Sequence, residues 1–380
     1  MNITRLTLNK TCIPLNYQFI QSNNSGSRNS SAAIISLMSD SGNTGYGEAC
    51  PRTYVTGENI HTMKNDLERI KKSLFSCSIY SFEDLFQFAT RHSSIGPATS
   101  CALELALLDL WSKEVEKPIH ELIQVDMDFC TEYGIAIPLY KPEFIKNVLE
   151  TMPVREPAFI KIKNDADVEG LLLKLEVIKN HFGQDVEITI DGNGGLTFQE
   201  ANTMINLLYK KGVYSYEQLL PVHDLDGYRK LNSIYGKYVN IILDESLVTI
   251  EDARTAIKYK TCNAFNLKIS KCGGITKTKA IYDQAQNNGI SCRMGAHFGE
   301  TGILSKAQGI SNAMMKDLTH YEGLYGAHLL KEDVVEPSPM MDRNGVVNWG
   351  NFKNELGWAN VNTNKYSQSA LDLQANYSLI

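Results

Sequence analysis

The apolar positions of this chain fall into two textures. In the first third, residues 3–9 alternate apolar and polar like a half-buried strand. Residues 32–39 and 44–49 are two further strand candidates, joined by the hairpin-type turn Asp40-Ser41-Gly42-Asn43. Helical spacing follows and is clearest over 97–114, where Ala102, Leu105, Ala106, Asp109 and Leu110 recur on a helical period and Pro97 suits a first turn. The polar stretch 21–31 interrupts this region and reads as a loop, either a linker or a mobile lid.

From about residue 129 short apolar runs alternate with helix-length segments. The runs cover 129–137, 158–162, 186–190, 213–216, 240–243, 264–267, 290–295 and 318–321. Their starts lie roughly 25 to 30 residues apart, about one βα unit each, and eight of them in succession predict a parallel (β/α) barrel. The expected division is an α+β capping domain over 1–125 and a barrel over 126–334. The irregular closing segment 335–380, with Pro337 and Pro339, is expected to return and complete the cap.

Composition narrows the classes. Of 380 residues, 43% are hydrophobic, enough for a substantial core. The formal net charge of −6 argues against a nucleic-acid binder working through a broad basic face. No apolar run reaches the roughly 18 residues of a membrane span, and Met1 to Arg5 lacks the continuous core of a signal peptide. Eight cysteines are scattered without a CxxC pair, which suits a reduced, cytoplasmic setting with free thiols.

Working residues of a (β/α) barrel stand at the C-terminal ends of its strands. Here those ends carry Lys161 and Lys163, then Asp191, Glu217, Asp244 and Lys268. The acids sit roughly 25 residues apart, one βα unit each, so adjacent strands bring three carboxylates to one rim. Like charges brought together and desolvated repel. A hard divalent cation removes the conflict, and few protein oxygens is the Mg²⁺ style of ligation. Lys161 and Lys163 are two apart and point to the same side of their strand. Lys163 precedes the acidic arc and Lys268 follows it, so the two approach a bound substrate from opposite faces. Any one such acid read alone would be a helix N-cap or a surface group.

Together Lys161-x-Lys163, Asp191-Gly192-Asn193, Tyr216-Glu217-Gln218, Asp244-Glu245-Ser246 and Asn266-Leu267-Lys268-Ile269-Ser270-Lys271-Cys272-Gly273-Gly274-Ile275 resemble the signature of the enolase superfamily. The nearest likeness is to its muconate-lactonizing subgroup, which includes dipeptide epimerases, o-succinylbenzoate synthases and N-acylamino-acid racemases. Thr44-Gly45-Tyr46-Gly47-Glu48-Ala49, Tyr54-Val55-Thr56-Gly57-Glu58 and the run Cys101 to Leu110 followed by Lys117-Pro118 are similar to its capping domain. The resemblance implies a (β/α)7β barrel, with Asp191, Glu217 and Asp244 as Mg²⁺ ligands. It implies removal of the proton α to a carboxylate through an enediolate. Lys163 and Lys268 are then general base and acid, and Lys161 adds positive charge at the oxyanion. Neighbouring cations are expected to lower the lysine pKa values so that one lysine can be neutral near pH 7. Asn193 and Glu245 either orient the metal ligands and a lysine or serve as a turn former and a helix-terminal charge. A small-molecule carboxylate substrate, no nucleic-acid or membrane partner and a homo-oligomer are expected.

The likeness thins where specificity resides. Dipeptide epimerases commonly carry an Asp-x-Asp pair at the eighth strand; here Thr319-His320-Tyr321-Glu322-Gly323-Leu324-Tyr325 offers Glu322 alone as a substrate-binding carboxylate. His297 follows the seventh strand and either lines the pocket, as a substrate-binding group, or caps the next helix. Arg293 either meets a second substrate carboxylate or lies in a core ion pair. The expected reaction is racemisation or epimerisation; the same metal and lysines also serve a cycloisomerase or a dehydratase working by β-elimination.

Overall fold

The structure, a computed structural model, describes residues 1–21, 24–91, 94–164, 167–324, 326–363 and 367–375. The N-terminal strands are β1 (Ile3–Thr11), β2 (Ile13–Gln21), β3 (Asn24–Ser30), β4 (Ala33–Ser39) and β5 (Thr44–Ala49). β1 is central in an antiparallel sheet, between β4 and the late strand Ser367–Gln374, with β5 beyond β4. The alternation seen in β1 buries Ile3, Leu6 and Leu8 beneath this sheet. Helix Pro97–Glu114 is buried along almost its whole length, because it is sandwiched between β5 and the barrel.

The stretch 21–31, expected to be a loop, instead supplies β3, which pairs antiparallel with β2 as a hairpin; residues 22 and 23 lie outside the described residues. Asn24 to Ser30 is polar throughout, so it lacks the period-two apolar signal, and its strand rests on backbone pairing. The base of the hairpin is tied to the barrel. Leu15 bridges to Leu330, Pro14 O accepts from Lys331 N at 2.9 Å, and Asn16 Nδ2 donates to His328 O at 3.0 Å.

The second part of the chain contributes β6 (Cys130–Glu132), β7 (Ile135–Ile137), β8 (Ile160–Lys163), β9 (Ile188–Asp191), β10 (Ser215–Glu217), β11 (Asn240–Leu243), β12 (Ala264–Leu267), β13 (Ser291–Met294) and β14 (Leu318–Tyr321). β7 to β14 form one eight-stranded parallel sheet in sequence order. Gly134 N donates to Tyr321 O at 2.9 Å and closes the ring between its first and last strands. The run 129–137 is therefore two strands. β6 pairs antiparallel with Val346–Asn348, and the chain turns at Tyr133-Gly134 before entering the barrel as β7. Helices follow each strand from β7 to β13, which makes a (β/α)7β barrel beneath an α+β cap.

The cap is held on the barrel by buried carboxylates set at helix starts. Glu48, on β5, accepts from the N–H groups of Thr301 and Leu304 and from the Thr301 hydroxyl, at 2.8, 3.0 and 2.7 Å. Glu104 accepts from Thr276 N at 3.0 Å and from its hydroxyl at 2.6 Å. Each sets acceptor oxygens against the unpaired N–H groups at the start of a barrel helix, Gly302–Met314 or Ile275–Gln286. Gly274 has φ +110°, and a side chain there would collide with the Glu104 carboxylate, so this docking needs glycine on two counts. No helix among the described residues is long and apolar enough to cross a membrane, and all eight cysteines are free thiols.

Candidate active site

Strand register gathers the charged residues. Lys163 on β8 lies beside Asp191 on β9, and Asp191 beside Glu217 on β10. Asp244 follows β11 and Lys268 follows β12. Asp191, Glu217 and Asp244 are 0–1% exposed, and Lys161 is 2% exposed. None of the three acids caps a helix. Those places are taken further along by Thr197, Asp224 and Thr249, whose side-chain oxygens accept the first helical N–H groups. The acids are thus free of the commonest structural duty of a residue after a strand.

Each acid is turned onto an ammonium group. Lys161 Nζ lies 2.8 and 2.7 Å from the two oxygens of Glu217 and 2.5 Å from Glu322 Oε1. Lys163 Nζ lies 2.5 Å from Asp191 Oδ2, and Lys268 Nζ 2.6 Å from Asp244 Oδ2. Asn266 Nδ2 donates to Glu217 Oε1 at 2.8 Å.

Burial by itself would drive all these groups toward neutrality. It lowers Lys161, Lys163 and Lys268, but the facing carboxylates outweigh it and hold all three ammonium groups above the ordinary lysine range. This is the reverse of the lowering expected from neighbouring cations, because in this arrangement acids lie closer to each lysine than other cations do. Burial likewise raises Asp191 and Asp244, yet Lys163 and Lys161 hold the first down, and Lys268 and Lys271 hold the second far below the usual range. Glu217 goes the other way. Burial lifts it to about 7, and Asp191, Glu322 and Asp244 add to the lift against Lys161, whose charge it shares with Glu322.

The donor set suits a hard divalent cation. Three buried carboxylates raise one another's affinity for protons, and the neighbouring Glu245 keeps Oε2 buried without a hydrogen-bond partner. Glu245 is pushed up to about 7 by burial and by Asp244 and Asp191. Among the described residues no three acid, imidazole or thiol groups are placed to hold one ion together as they stand, because each acid faces its lysine.

The remaining residues sort clearly. Asn193 Nδ2 donates to Glu245 Oε1 at 3.0 Å, and its backbone N–H donates to Asp191 Oδ1 at 2.9 Å, so Asn193 links the two acids. Its φ of 44° is the left-handed conformation that asparagine tolerates, so the turn-forming role coexists with this link. His297 lines the cavity; the helix that follows is capped by Thr301 instead. Burial, Lys268 and Arg52 keep its imidazole neutral, far below the ordinary histidine value. Glu322 also lines the cavity, against Lys161. Arg293 is fully buried in the barrel interior, donating to Thr189 Oγ1 at 3.1 Å and standing 5.8 Å from the Phe159 ring centroid. Among the described residues it makes no ion pair, although its charge helps to lower Glu187, and it is not part of the cavity wall.

Lys271 is a residue that sequence reasoning passed over. It is fully buried, and its Nζ donates to Asp244 O, Asp244 Oδ1 and Asn266 O at 2.6, 2.8 and 2.9 Å. The signal was its place one helical turn after Lys268, on the short helix Ile269–Cys272, which Gly273 ends at φ +93°.

The three lysines Lys161, Lys163 and Lys268, with Asn193, Glu245, His297 and Glu322, line a cavity of about 200 Å³. Lys163 and Lys268 both line it, four places apart in the eight-stranded ring and so across the mouth from one another. The cap adds Tyr54 and Val55, and Arg52 secures that segment by donating to Phe298 O at 2.7 Å.

Residues 150–351 match the family described as enolase C-terminal domain-like. The chain is 25% identical over 321 residues to the hydrophobic dipeptide epimerase of Enterococcus faecalis, covering 82% of this chain and 88% of that one. It is 26% identical over 315 residues to the N-succinyl-L-Arg/Lys racemase of Bacillus cereus, covering 81% and 83%. The solved dipeptide epimerase of Cytophaga hutchinsonii, complexed with Mg and the dipeptide D-Ala-L-Val, superposes with a TM-score of 0.85 at 20% identity, over 98% of this chain and 100% of that one. The family match spans more than half of the chain, and the protein belongs to the enolase C-terminal domain-like family, as an isomerase of the enolase superfamily.

Proposed function

We propose that the protein is a Mg²⁺-dependent racemase or epimerase that removes the proton α to a substrate carboxylate and returns it on the other face. The observation that carries this reading is the placement of Lys163 and Lys268 across one cavity, with the three buried acids between them around the rim. Asp191, Glu217 and Asp244 would hold the cation, whose positive charge favours the dianionic character that the carboxylate gains when the α proton leaves.

The chain's own residues divide the remaining work. One of Lys163 and Lys268, as the free amine, takes the α proton, and the other, as the ammonium, donates to the opposite face. Both are held protonated by their acids here, so drawing Asp191 and Asp244 away frees the lysines to lose a proton. Lys161, held between Glu217 and Glu322, keeps a positive charge where the substrate oxygens gain negative charge. Asn193 keeps Asp191 and Glu245 in place. Cap residues Tyr54 and Val55 shield the mouth.

Incubation with dipeptides and N-acylamino acids in D₂O with Mg²⁺ tests this. The expected product carries deuterium at the α carbon with every other bond intact, and EDTA abolishes exchange. Exchange at full rate in the chelated protein would overturn the metal assignment. Loss of water or ring formation would replace racemisation with elimination or cycloisomerisation.

A further inference from the structure

The N-terminal ends of the barrel strands, opposite the charged rim, carry a pattern that the chemistry does not use. Helices Phe198–Tyr209, Leu225–Tyr235 and Ile250–Tyr259 each end on a tyrosine. The connections from them into β10, β11 and β12 read Lys210-Lys211-Gly212-Val213-Tyr214, Gly236-Lys237-Tyr238-Val239 and Lys260-Thr261-Cys262-Asn263. None of the three contains an acid. The acids of these helices, Glu200, Asp226, Glu251 and Asp252, all stand in the first turns, toward the opposite face. The neighbouring connection into β9 carries Asp185 and Glu187, the latter 2.8 Å from His320 Nε2, and bounds the basic face on that side.

Tyr235 is turned inward, its hydroxyl donating to Asn202 Oδ1 at 2.9 Å. Tyr209, Tyr214, Tyr238 and Tyr259 instead stay 40, 51, 64 and 47% exposed. Tyr209 packs edge-on against Tyr214 at 5.5 Å between ring centroids and against Tyr238 at 6.3 Å. The third connection is stitched to the second. Asn263 Nδ2 donates to Gly236 O and Val239 O at 2.8 Å, and Asn232 Nδ2 to Lys260 O at 2.9 Å. Lys210, Lys211, Lys237 and Lys260 are exposed around the rings. Lysines at helix ends complement the helix dipole. That accounts for Lys210 and Lys260, but not for four exposed tyrosines on the face of a barrel that serves stability.

Aromatic rings within a charged rim are the make-up of a protein-docking face. The four exposures amount to about two whole tyrosine surfaces, on the order of 400 Å². The lysine stems extend this toward the roughly 800 Å² that one partner of a stable complex contributes. Charge decides the occupant. A second copy of this chain, docked patch to patch about a two-fold axis, would set lysines against lysines. A single nucleic-acid strand needs free ring faces to stack on, whereas Tyr209 is held edge-on between Tyr214 and Tyr238. We infer that this face docks an acidic polypeptide segment of another protein, in which apolar side chains alternate with carboxylates. The apolar side chains lie on the tyrosines, and the carboxylates pair with Lys210, Lys211, Lys237 and Lys260. This docking is independent of the proton chemistry at the other end of the barrel.

Fluorescence anisotropy of labelled peptides with the full chain tests this. The probe alternates Glu with Leu and Phe over about ten residues, long enough to cross the patch in an extended form. One control has Lys in place of each Glu, and a second has Ser in place of each Leu and Phe. The probe is expected to bind with Kd on the order of 100 μM at low salt, and each control at least about tenfold more weakly. Tyr214→Ser and Tyr238→Ser should each weaken the probe about tenfold at any salt concentration. Lys211→Glu and Lys237→Glu should weaken it about as much at low salt, and by less in about 0.5 M NaCl. An unchanged melting temperature shows that a variant is folded; if one is not, the other three carry the test. No binding of the probe up to about 1 mM, equal binding of the Lys control, or binding that all folded variants leave unaltered would overturn the inference. Tighter binding of a single-stranded oligothymidylate would give the face to nucleic acid, and self-association abolished by Tyr238→Ser would give it to a second copy. Either result also overturns the acidic partner.

Discussion

Lys271 holds Asp244 twice, its Nζ lying 2.6 Å from the backbone carbonyl and 2.8 Å from Oδ1. The second carboxylate oxygen, Oδ2, faces Lys268 at 2.6 Å. One acid is thus anchored by a fully buried lysine and presented to another lysine that lines the cavity. Such supporting contacts set the orientation of a metal ligand.

Lys271→Met is expected to leave Asp244 without its anchor. The apparent affinity for Mg²⁺, followed as the metal-dependent rise in melting temperature, should fall by about 10- to 100-fold. The same titration with Lys277→Met, a lysine that contacts Ser100 rather than the acids, should be close to unaltered. Equal Mg²⁺ affinity in Lys271→Met and the unaltered protein would contradict the positioning role.

Asp191→Asn changes the charge of one proposed ligand while keeping the oxygen that accepts from Asn193 N–H. It also removes the ion pair to Lys163. A direct ligand should cost at least the upper end of the range for supporting contacts, about 100-fold in Mg²⁺ affinity. Calorimetric titration checks this, and retained affinity would remove Asp191 from the cation site.

The cap–barrel junction should respond to pH. Burial lifts Glu48 from 4.5 to about 7 and Glu300 from 4.5 to about 8, against the hydrogen bonds each accepts. In the unfolded chain both ionise near their ordinary values, so between those values and pH 7–8 the folded state binds more protons. Stability from these groups is full below about pH 4.5 and is lost as pH rises toward 7 and 8, by roughly 3 kcal/mol for Glu48 and roughly 5 kcal/mol for Glu300. Melting temperatures of the metal-free protein from pH 5 to 8 should fall with a slope that Glu48→Gln makes shallower. A slope unchanged by that substitution would contradict the assignment.

The barrel was legible because its buried parallel strands are short apolar runs closed by charged residues. The runs 240–243, 264–267 and 318–321 coincide with β11, β12 and β14. The acids and lysines at the rim were legible because one βα unit separates each from the next. The β2–β3 hairpin was not, since a strand as polar as Asn24–Ser30 depends on a backbone partner that local sequence does not name. The split of 129–137 was hidden for a related reason. Its break at Tyr133-Gly134 follows from pairing with Val346–Asn348, far along the chain. Lys271 looked like any lysine on a helix, and only the tight turn ending at Gly273 directs it inward. The cavity wall joins residues from β7, the next helix and the segment near 341, which periodicity within any one element cannot bring together.

The central claim is that Lys163 and Lys268 act on opposite faces of one carbon. It is tested most directly by α-hydrogen exchange in D₂O with Lys163→Ala and Lys268→Ala, using each enantiomer of a substrate the unaltered protein racemises. Both variants are expected to lose racemisation by at least about 100-fold. Each should still exchange the α hydrogen of one enantiomer alone, and the two variants should retain opposite enantiomers. Near-normal racemisation by either variant, or exchange of the same enantiomer by both, would contradict the two-lysine account.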